Sequence, residues 1–330
     1  MDDVGRKYMD EILTGKKVNR HPKRKKKQPI TMNLIKNQKQ LIWMSVPLLL
    51  YIILFAYVPV WGWTMAFQDY KPAKAFGEQT WVGLKHFKFL FTDDTFLRVL
   101  RNTLAMGLIN FFLGFITAIT LALLLNEIKN VFWKRTVQTI SYLPHFLSWI
   151  IVTGIVGVSL SVNDGIINIV LMKLHLIDSP ILWLSEGKYF WGIVGASTVW
   201  KEVGWSTIIY LAAIASIDPA LYEAAEIDGA NRYKKMFNVT LPGIRPTIVI
   251  LMIMSIGHVL DVGFEVPYLL GNGLTVDWSD TIDIFVLKYG IGQGNYSLAT
   301  AGGIFKTVVS VTLLLLANWT SKRLGEERLL

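Results

Sequence analysis

The chain has 330 residues, 52% hydrophobic and 17% charged, with a positive mean hydropathy. A soluble domain of this length carries more charge and fewer long apolar runs, so a multi-spanning membrane protein is expected. The absence of cysteine excludes disulfides and thiolate metal sites. A net charge of +9 would suggest nucleic acid if it were spread over a soluble face. Instead, twelve of the 33 Lys and Arg fall in the first forty residues, including KRKKK at 23–27. The positive-inside rule places such a segment in the cytosol, and no nucleic-acid role is expected for it.

The predicted order is a basic cytosolic segment at 1–40, a transmembrane domain at 41–320 and a cytosolic tail at 321–330. The run from Leu41 to about Trp63 is longer than a signal-peptide core and follows a long charged leader, so it reads as a retained span. A helix crosses a bilayer with ~20 mostly apolar residues. That length predicts six spans: 41–63, 100–126, 138–160, 190–214, 244–270 and 299–319. Trp61, Trp63, Trp149, Trp191 and Trp319 fall near their ends, as an aromatic belt would have them. With both termini inside, the cytosolic segments and Arg245 hold 22 Lys and Arg; the outside segments and helix ends hold ten. Before the second span, Leu84, Phe87, Leu90 and Phe91 form a helical stripe, expected to lie on the membrane surface. No stretch alternates long enough to build a sheet.

The segment 215–243, expected in the cytosol between spans four and five, exceeds the ~2–8 residues that a helix–helix connection needs. Asp218-Pro219 reads as an N-cap followed by proline at the first helical position. LYEAAEI continues the helix, Gly229 breaks it, and Asn231 caps a second helix that Pro242 is expected to end. Glu223, Ala224 and Ala225 then present a small, flat docking face. The bland alternative is a solvated amphipathic loop.

The spacing EAA, three residues, Gly229, nine residues and V-x-L-P resembles the EAA loop of ABC-importer permeases. VGLKHF with RNTL (82–104), LPHFLSW (143–149), VWKEVGWSTIIYLAAIASIDPALYEAA (199–225) and YSLATAGGIFKTVV extend the likeness over nearly the whole chain after residue 40. They resemble carbohydrate-uptake permeases, closest to the branch handling oligosaccharides from plant or algal polysaccharides. Val239 replaces the usual isoleucine of the pattern conservatively. The resemblance implies an all-α type I importer fold with six transmembrane helices, in a bacterial cell membrane with both termini cytosolic. It implies a paralogous second permease, two ATPase subunits that hold ATP and Mg, and an extracellular solute-binding protein; this chain needs no cofactor. Glu223, Ala224, Ala225, Asp228, Gly229 and Pro242 are the residues expected to couple ATP-driven closure to the spans.

Ionisable residues inside spans are costly and mark functional sites by default. Lys201 and Trp205, four residues apart, share one helical face. Ser255, His258, Asp261 and Glu265 of the fifth span fall at i, i+3, i+6 and i+10, a single helical stripe. Maltose-type relatives place sugar contacts at matching levels, which here carry Thr198, Lys201, Glu202, Trp205, Ser255, His258, Val259 and Val262. With Asp261 these are the candidate substrate path. Lys201 and His258 are the candidates to face a uronate carboxylate. The alternative is internal pairing, of Lys201 with Glu202 or Asp261. Asn102, Asn110 and His145 are expected to satisfy backbone or helix contacts, and GIGQG (290–294) to be an outside turn.

A stand-alone secondary transporter or channel would also have six spans and membrane charges, but has no use for an EAA loop. His-Glu-x-x-His, Gly-x-Ser-x-Gly and Cys-His constellations are missing from the sequence, as is a Walker A motif, so energy is expected from a partner and no catalytic residue is assigned.

Overall fold

The computed structural model describes residues 38–323; the KRKKK run and Arg328 lie outside them. Two compact units divide the chain, one ending at Val60 and one beginning at Trp61. In the first, helix α1 (Lys39–Ile52) continues into a π turn at Ile53–Tyr57, and its apolar side chains are broadly exposed.

In the second unit, a two-residue ribbon pairs β1 (Gln68–Asp69) antiparallel to β2 (Thr80–Trp81). Helix α2 (Lys85–Thr92) follows. It buries Leu90 but leaves Leu84 and Phe91 exposed. Asp93 accepts from the Thr95 N–H and starts α3 (Asp94–Glu127). Asn130 caps α4 (Val131–Tyr142), and Ser148 caps α5 (Trp149–Ser159). Then come α6 (Ile166–Lys173), α7 (Gly187–Ala215), α8 (Pro219–Ile227) and α9 (Arg232–Lys235). The chain goes on through α10 (Arg245–Gly257), α11 (Glu265–Leu270), α12 (Ile282–Val286) and α13 (Tyr296–Arg323).

Three helical stretches are long and apolar enough to cross a membrane: Lys39–Phe67, Asp94–Glu127 and Tyr296–Arg323. Up to six result if each of three bent helix pairs is one span. Two expected spans are not continuous helices. The 138–160 stretch bends by 105° between Phe146 and Trp149, where Pro144 sits in a 3-10 turn and Ser148 begins a new helix. The 244–270 stretch loses helical structure after Gly257 and regains it only at Glu265, with Gly263 at φ +87°. The polar stripe from Ser255 to Glu265 therefore does not exist as a helical face.

Helix α3 packs along α7, and three clusters of buried side chains follow α3 down its length. Phe96 and Val99 join Leu90, Ile282 and Phe285 in one. Met106 joins Phe190, Val194, Val262 and Val266 in the next. Ala118 and Ala122 meet Tyr210, Ile214 and Ile244 in the third. Small residues set the spacing: a Cβ on Gly107 would stand 1.9 Å from the Val259 carbonyl oxygen, and one on Gly204 2.0 Å from that of Ser141. Large apolar side chains elsewhere stay exposed, which suits a chain whose solvent is lipid and whose partners are membrane helices.

Candidate functional site: coupling loop and intramembrane charge clusters

Helix α7 ends at Ala215, and α8 leaves it at 70°. Asp218 Oδ1 accepts from the Ala220 N–H at 2.9 Å, and Pro219 takes the first helical position. The far end of α8 is a Schellman closure. The Ala230 N–H donates to Ala225 O at 2.9 Å and the Gly229 N–H to Glu226 O at 3.0 Å, with Gly229 at φ +70°. Asn231 Oδ1 then accepts from the Lys234 N–H at 2.9 Å and starts α9.

The second short helix continues through a π turn at Met236–Thr240 into Leu241–Gly243. Pro242 does not end it. The turn falls at Ile244, and the following helix departs at 57°. Proline lacks an N–H but fits the first positions of a helical segment, and the wide turn before it supplies that start.

Two side-chain ties hold the pair of helices: Lys235 Nζ to Glu226 Oε1 at 2.5 Å, and Tyr222 OH to Thr240 Oγ1 at 2.9 Å. Hydrogen bonding from Lys235, with its charge, holds the Glu226 carboxyl below the usual range. Glu223, Ala224 and Asp228 are exposed, and Ala225 is half-buried. Ile227 is 88% exposed, and Leu221, Tyr233 and Phe237 are also exposed. Together they form an apolar patch rimmed by charge, a composition that fits the docking face expected of this loop.

The candidate substrate-path residues separate into two clusters. In the first, Lys201, only 6% exposed and halfway along α7, donates to the His145 carbonyl at 2.6 Å. It also pairs with Glu202 Oε1 at 3.2 Å, while Glu202 Oε2 meets His145 Nδ1 at 2.7 Å. The His145 ring stacks on Trp205 with centroids 4.5 Å apart and planes 4° off parallel. Trp149 lies under the ammonium at 5.1 Å. The cluster fastens α7 to the elbow between α4 and α5. The elbow interrupts the helical ladder, and Lys201 satisfies one of the carbonyls it exposes. Thr198 bonds back to Val194 O at 2.9 Å within its own helix.

The second cluster lies at the α10–α11 break. Lys306 Nζ reaches Asp261 Oδ1 at 2.6 Å and both Asp283 oxygens at 2.7 and 2.9 Å. Asp261 Oδ2 pairs with His258 Nδ1 at 2.9 Å. Asp261 is thus paired with Lys306, not with Lys201. Nothing in the local sequence of Asp261 points to Lys306, which lies far along the chain on α13. Ser255, His258, Val259 and Asp261 line a cavity of about 450 Å³ between α3, α7 and α10, with Asn110, Ser206 and Tyr210. Val262 lies in the core beside Met106. Lys201, Glu202 and Trp205 do not line this cavity, so the chain does not bring its two candidate faces together there.

Asn102 fulfils its expected role, donating to the Asp277 and Asp280 carbonyls at 3.0 and 3.1 Å. Beside it, Arg101 lies over Trp191 and Trp278. Asn110 differs: its buried Oδ1 has no hydrogen-bond partner. The GIGQG stretch carries the end of a π turn at Leu287–Gly292, followed by Gly294 at φ +67°.

A family model described as "Binding-protein-dependent transport system inner membrane component" matches residues 95–326. Over 305 residues, 92% of this chain and 94% of the relative, the sequence is 44% identical to the "Polygalacturonan/rhamnogalacturonan transport system permease protein YteP" of Bacillus subtilis (strain 168). Protein LplB of the same organism is 42% identical over 298 residues, 90% of this chain and 93% of that protein. Among solved structures, a chain of the crystal structure of a bacterial alginate ABC transporter in complex with alginate pentasaccharide-bound periplasmic protein superimposes with a TM-score of 0.83. It is 38% identical, covering 90% of this chain and 99% of that one.

Proposed function

This chain belongs to the binding-protein-dependent transport system inner membrane components, and from that premise we propose that it carries oligosaccharides released from plant or algal polysaccharides. It is a permease of an ABC importer, forming the path with a second, homologous permease. Two cytosolic ATPases hold ATP and Mg, and an extracellular binding protein delivers the sugar. Both termini and the 215–243 loop face the cytosol.

The observation that carries this reading is the loop itself. Two short helices reverse at Gly229, are tied to each other by Glu226–Lys235 and Tyr222–Thr240, and expose Ile227 and Glu223. Helix α7 leads straight into this element and α10 leads out of it. A push on the loop therefore reaches α7, which carries Lys201 and Glu202, and α10, which leads into the break that carries His258 and Asp261. The substrate class draws support from relatives named for polygalacturonan, rhamnogalacturonan and alginate. In the 450 Å³ cavity, serine hydroxyls and imidazole suit sugar hydroxyls, and Phe111 and Phe115 suit the apolar face of a ring.

Purification tests the assignment. Tagged chain should bring a second permease and an ATPase with it, and the complex should hydrolyse ATP faster when sugar-loaded binding protein is added. Isolation of this chain alone, transporting without ATP, would overturn it.

A further inference from the structure

Lys306 lines neither of the two cavities that flank it. Asp261, on one side of it, faces the 450 Å³ cavity. Asp283, on the other, faces a cavity of about 570 Å³ beside Phe264. The lysine is mostly buried, and three close oxygens, one from Asp261 and two from Asp283, occupy its three donors. The backbone beside it is held by short turns, by buried Leu260 and by Val262 in the core, and no longer by a helical ladder. Between His258 and Phe264 the helix is open, and Gly263 is left-handed.

We propose that Lys306 is a positioning residue for sugar passage, acting through Asp261 to fix His258 on the cavity wall. This rests on the reading of the 450 Å³ cavity as part of the path. His258 is 74% exposed in its side chain and makes one polar contact, through Nδ1 to Asp261 Oδ2. With Nδ1 turned to the Asp261 carboxylate, Nε2 is the ring nitrogen left for the cavity. Lys306 on the other oxygen keeps Asp261 from swinging away, and Asp283 keeps Lys306 in place. The arrangement is the one by which a carboxylate orients a metal-bound imidazole, used here to aim Nε2 at a sugar hydroxyl.

A consequence concerns charge. Among the described residues no lysine or arginine lines this cavity, and Lys306 is spent on two carboxylates. On this wall the serine hydroxyls, the Asn110 amide and the His258 imidazole are the groups that suit sugar hydroxyls.

The test uses the assembled importer, whose permease chain has no native cysteine. A thiol placed by Ser255→Cys is alkylated in the presence of increasing amounts of a polygalacturonan digest, and the digest concentration giving half protection is read. Lys306→Met should raise that concentration roughly tenfold, the scale of one lost hydrogen bond to a charged group. Lys306→Arg should leave it within about twofold of the parent. In a His258→Ala background, Lys306→Met should add no further shift, since its effect passes through His258. Unchanged protection in Lys306→Met, or fully additive shifts with His258→Ala, would overturn the proposal. Absence of protection in the parent would instead remove the cavity from the path and take the proposal with it. Should Lys306→Met fail to assemble, Lys306→Met with Asp283→Asn removes the stranded carboxylate and leaves the Asp261–His258 pair for the same reading.

Discussion

Between Asp218 and Asn231 every helix end is made by a near neighbour in sequence. Asp218 caps two residues ahead, Gly229 closes on Glu226, and Asn231 caps three residues ahead. At the intramembrane lysines the partners come from far away. Lys201 reaches a carbonyl 56 residues back, and Lys306 a carboxylate 23 residues back. The loop proposed to couple is a local construction, with Glu223 and Ile227 exposed. The lysine clusters are tertiary constructions beside interrupted helices: Lys201 satisfies a carbonyl at the elbow, and Lys306 joins two carboxylates at the 258–264 break. Residues of the same polar types thus build an exposed, locally closed turn in one place and long-range ties in the other.

That contrast predicts a difference in what mutations destroy. The largest effect is expected at Lys201. Lys201→Met leaves the His145 carbonyl and the Glu202 carboxylate without their buried partner, a loss that costs about 3–5 kcal/mol for a broken buried pair. Yield of the assembled complex and its melting temperature should both fall. Lys201→Met with Glu202→Gln should recover part of the loss. Wild-type stability with lost sugar uptake in the single variant would return Lys201 to the substrate path.

At Gly229 the effect should be smaller and of another kind. Nothing lies within 4 Å of a Cβ built there, yet φ is +70°, so a side chain meets strain and no clash. A left-handed residue other than glycine costs ~1–2 kcal/mol, with asparagine tolerated best. Gly229→Val should assemble but lose most sugar-stimulated ATP hydrolysis, and Gly229→Asn should retain most of it. Equal activity of the two would mean that the bend does not matter for coupling.

The smallest effect is expected from the Glu226–Lys235 tie. Its folded carboxyl titrates below the ordinary value near ~4.3. Its contribution is therefore complete above that value and is lost as pH falls through the lower, folded one. Glu226→Gln should leave ATPase affinity nearly unchanged at pH 7, because the pair is exposed and solvent screens it. The variant should also flatten any acid-induced weakening of ATPase binding below about pH 4.3. A large loss at pH 7 would show that Glu226 itself contacts the ATPase.

The same contrast explains what the sequence discloses. The coupling loop is legible because caps, proline and left-handed glycine act within a few residues, and because the EAA spacing is specific. Only its end is misplaced: the helix runs through Pro242 after a π turn, a register change that leaves no compositional mark. The 258–264 break hides behind the spacing of Ser255, His258, Asp261 and Glu265, which mimics a helical stripe. Gly257 and Gly263 flank the break and are its only local signs. The elbow at 143–148 has clearer ones, Pro144 and the capping Ser148, yet its apolar composition reads as one span. Partners cannot be read at all from spacing. Lys201 has Glu202 beside it, but Asp261 finds Lys306 only once α10 and α13 pack.

Glu223→Lys tests the central claim most directly. Glu223 is exposed on α8, and none of the loop's ties passes through it, so reversal of its charge should spare folding. In the reconstituted importer, with saturating sugar-loaded binding protein, the account predicts normal assembly with basal ATP hydrolysis and loss of the sugar-stimulated increment. Full stimulation in Glu223→Lys would contradict the assignment of the loop as the element that transmits ATP-driven motion to the membrane.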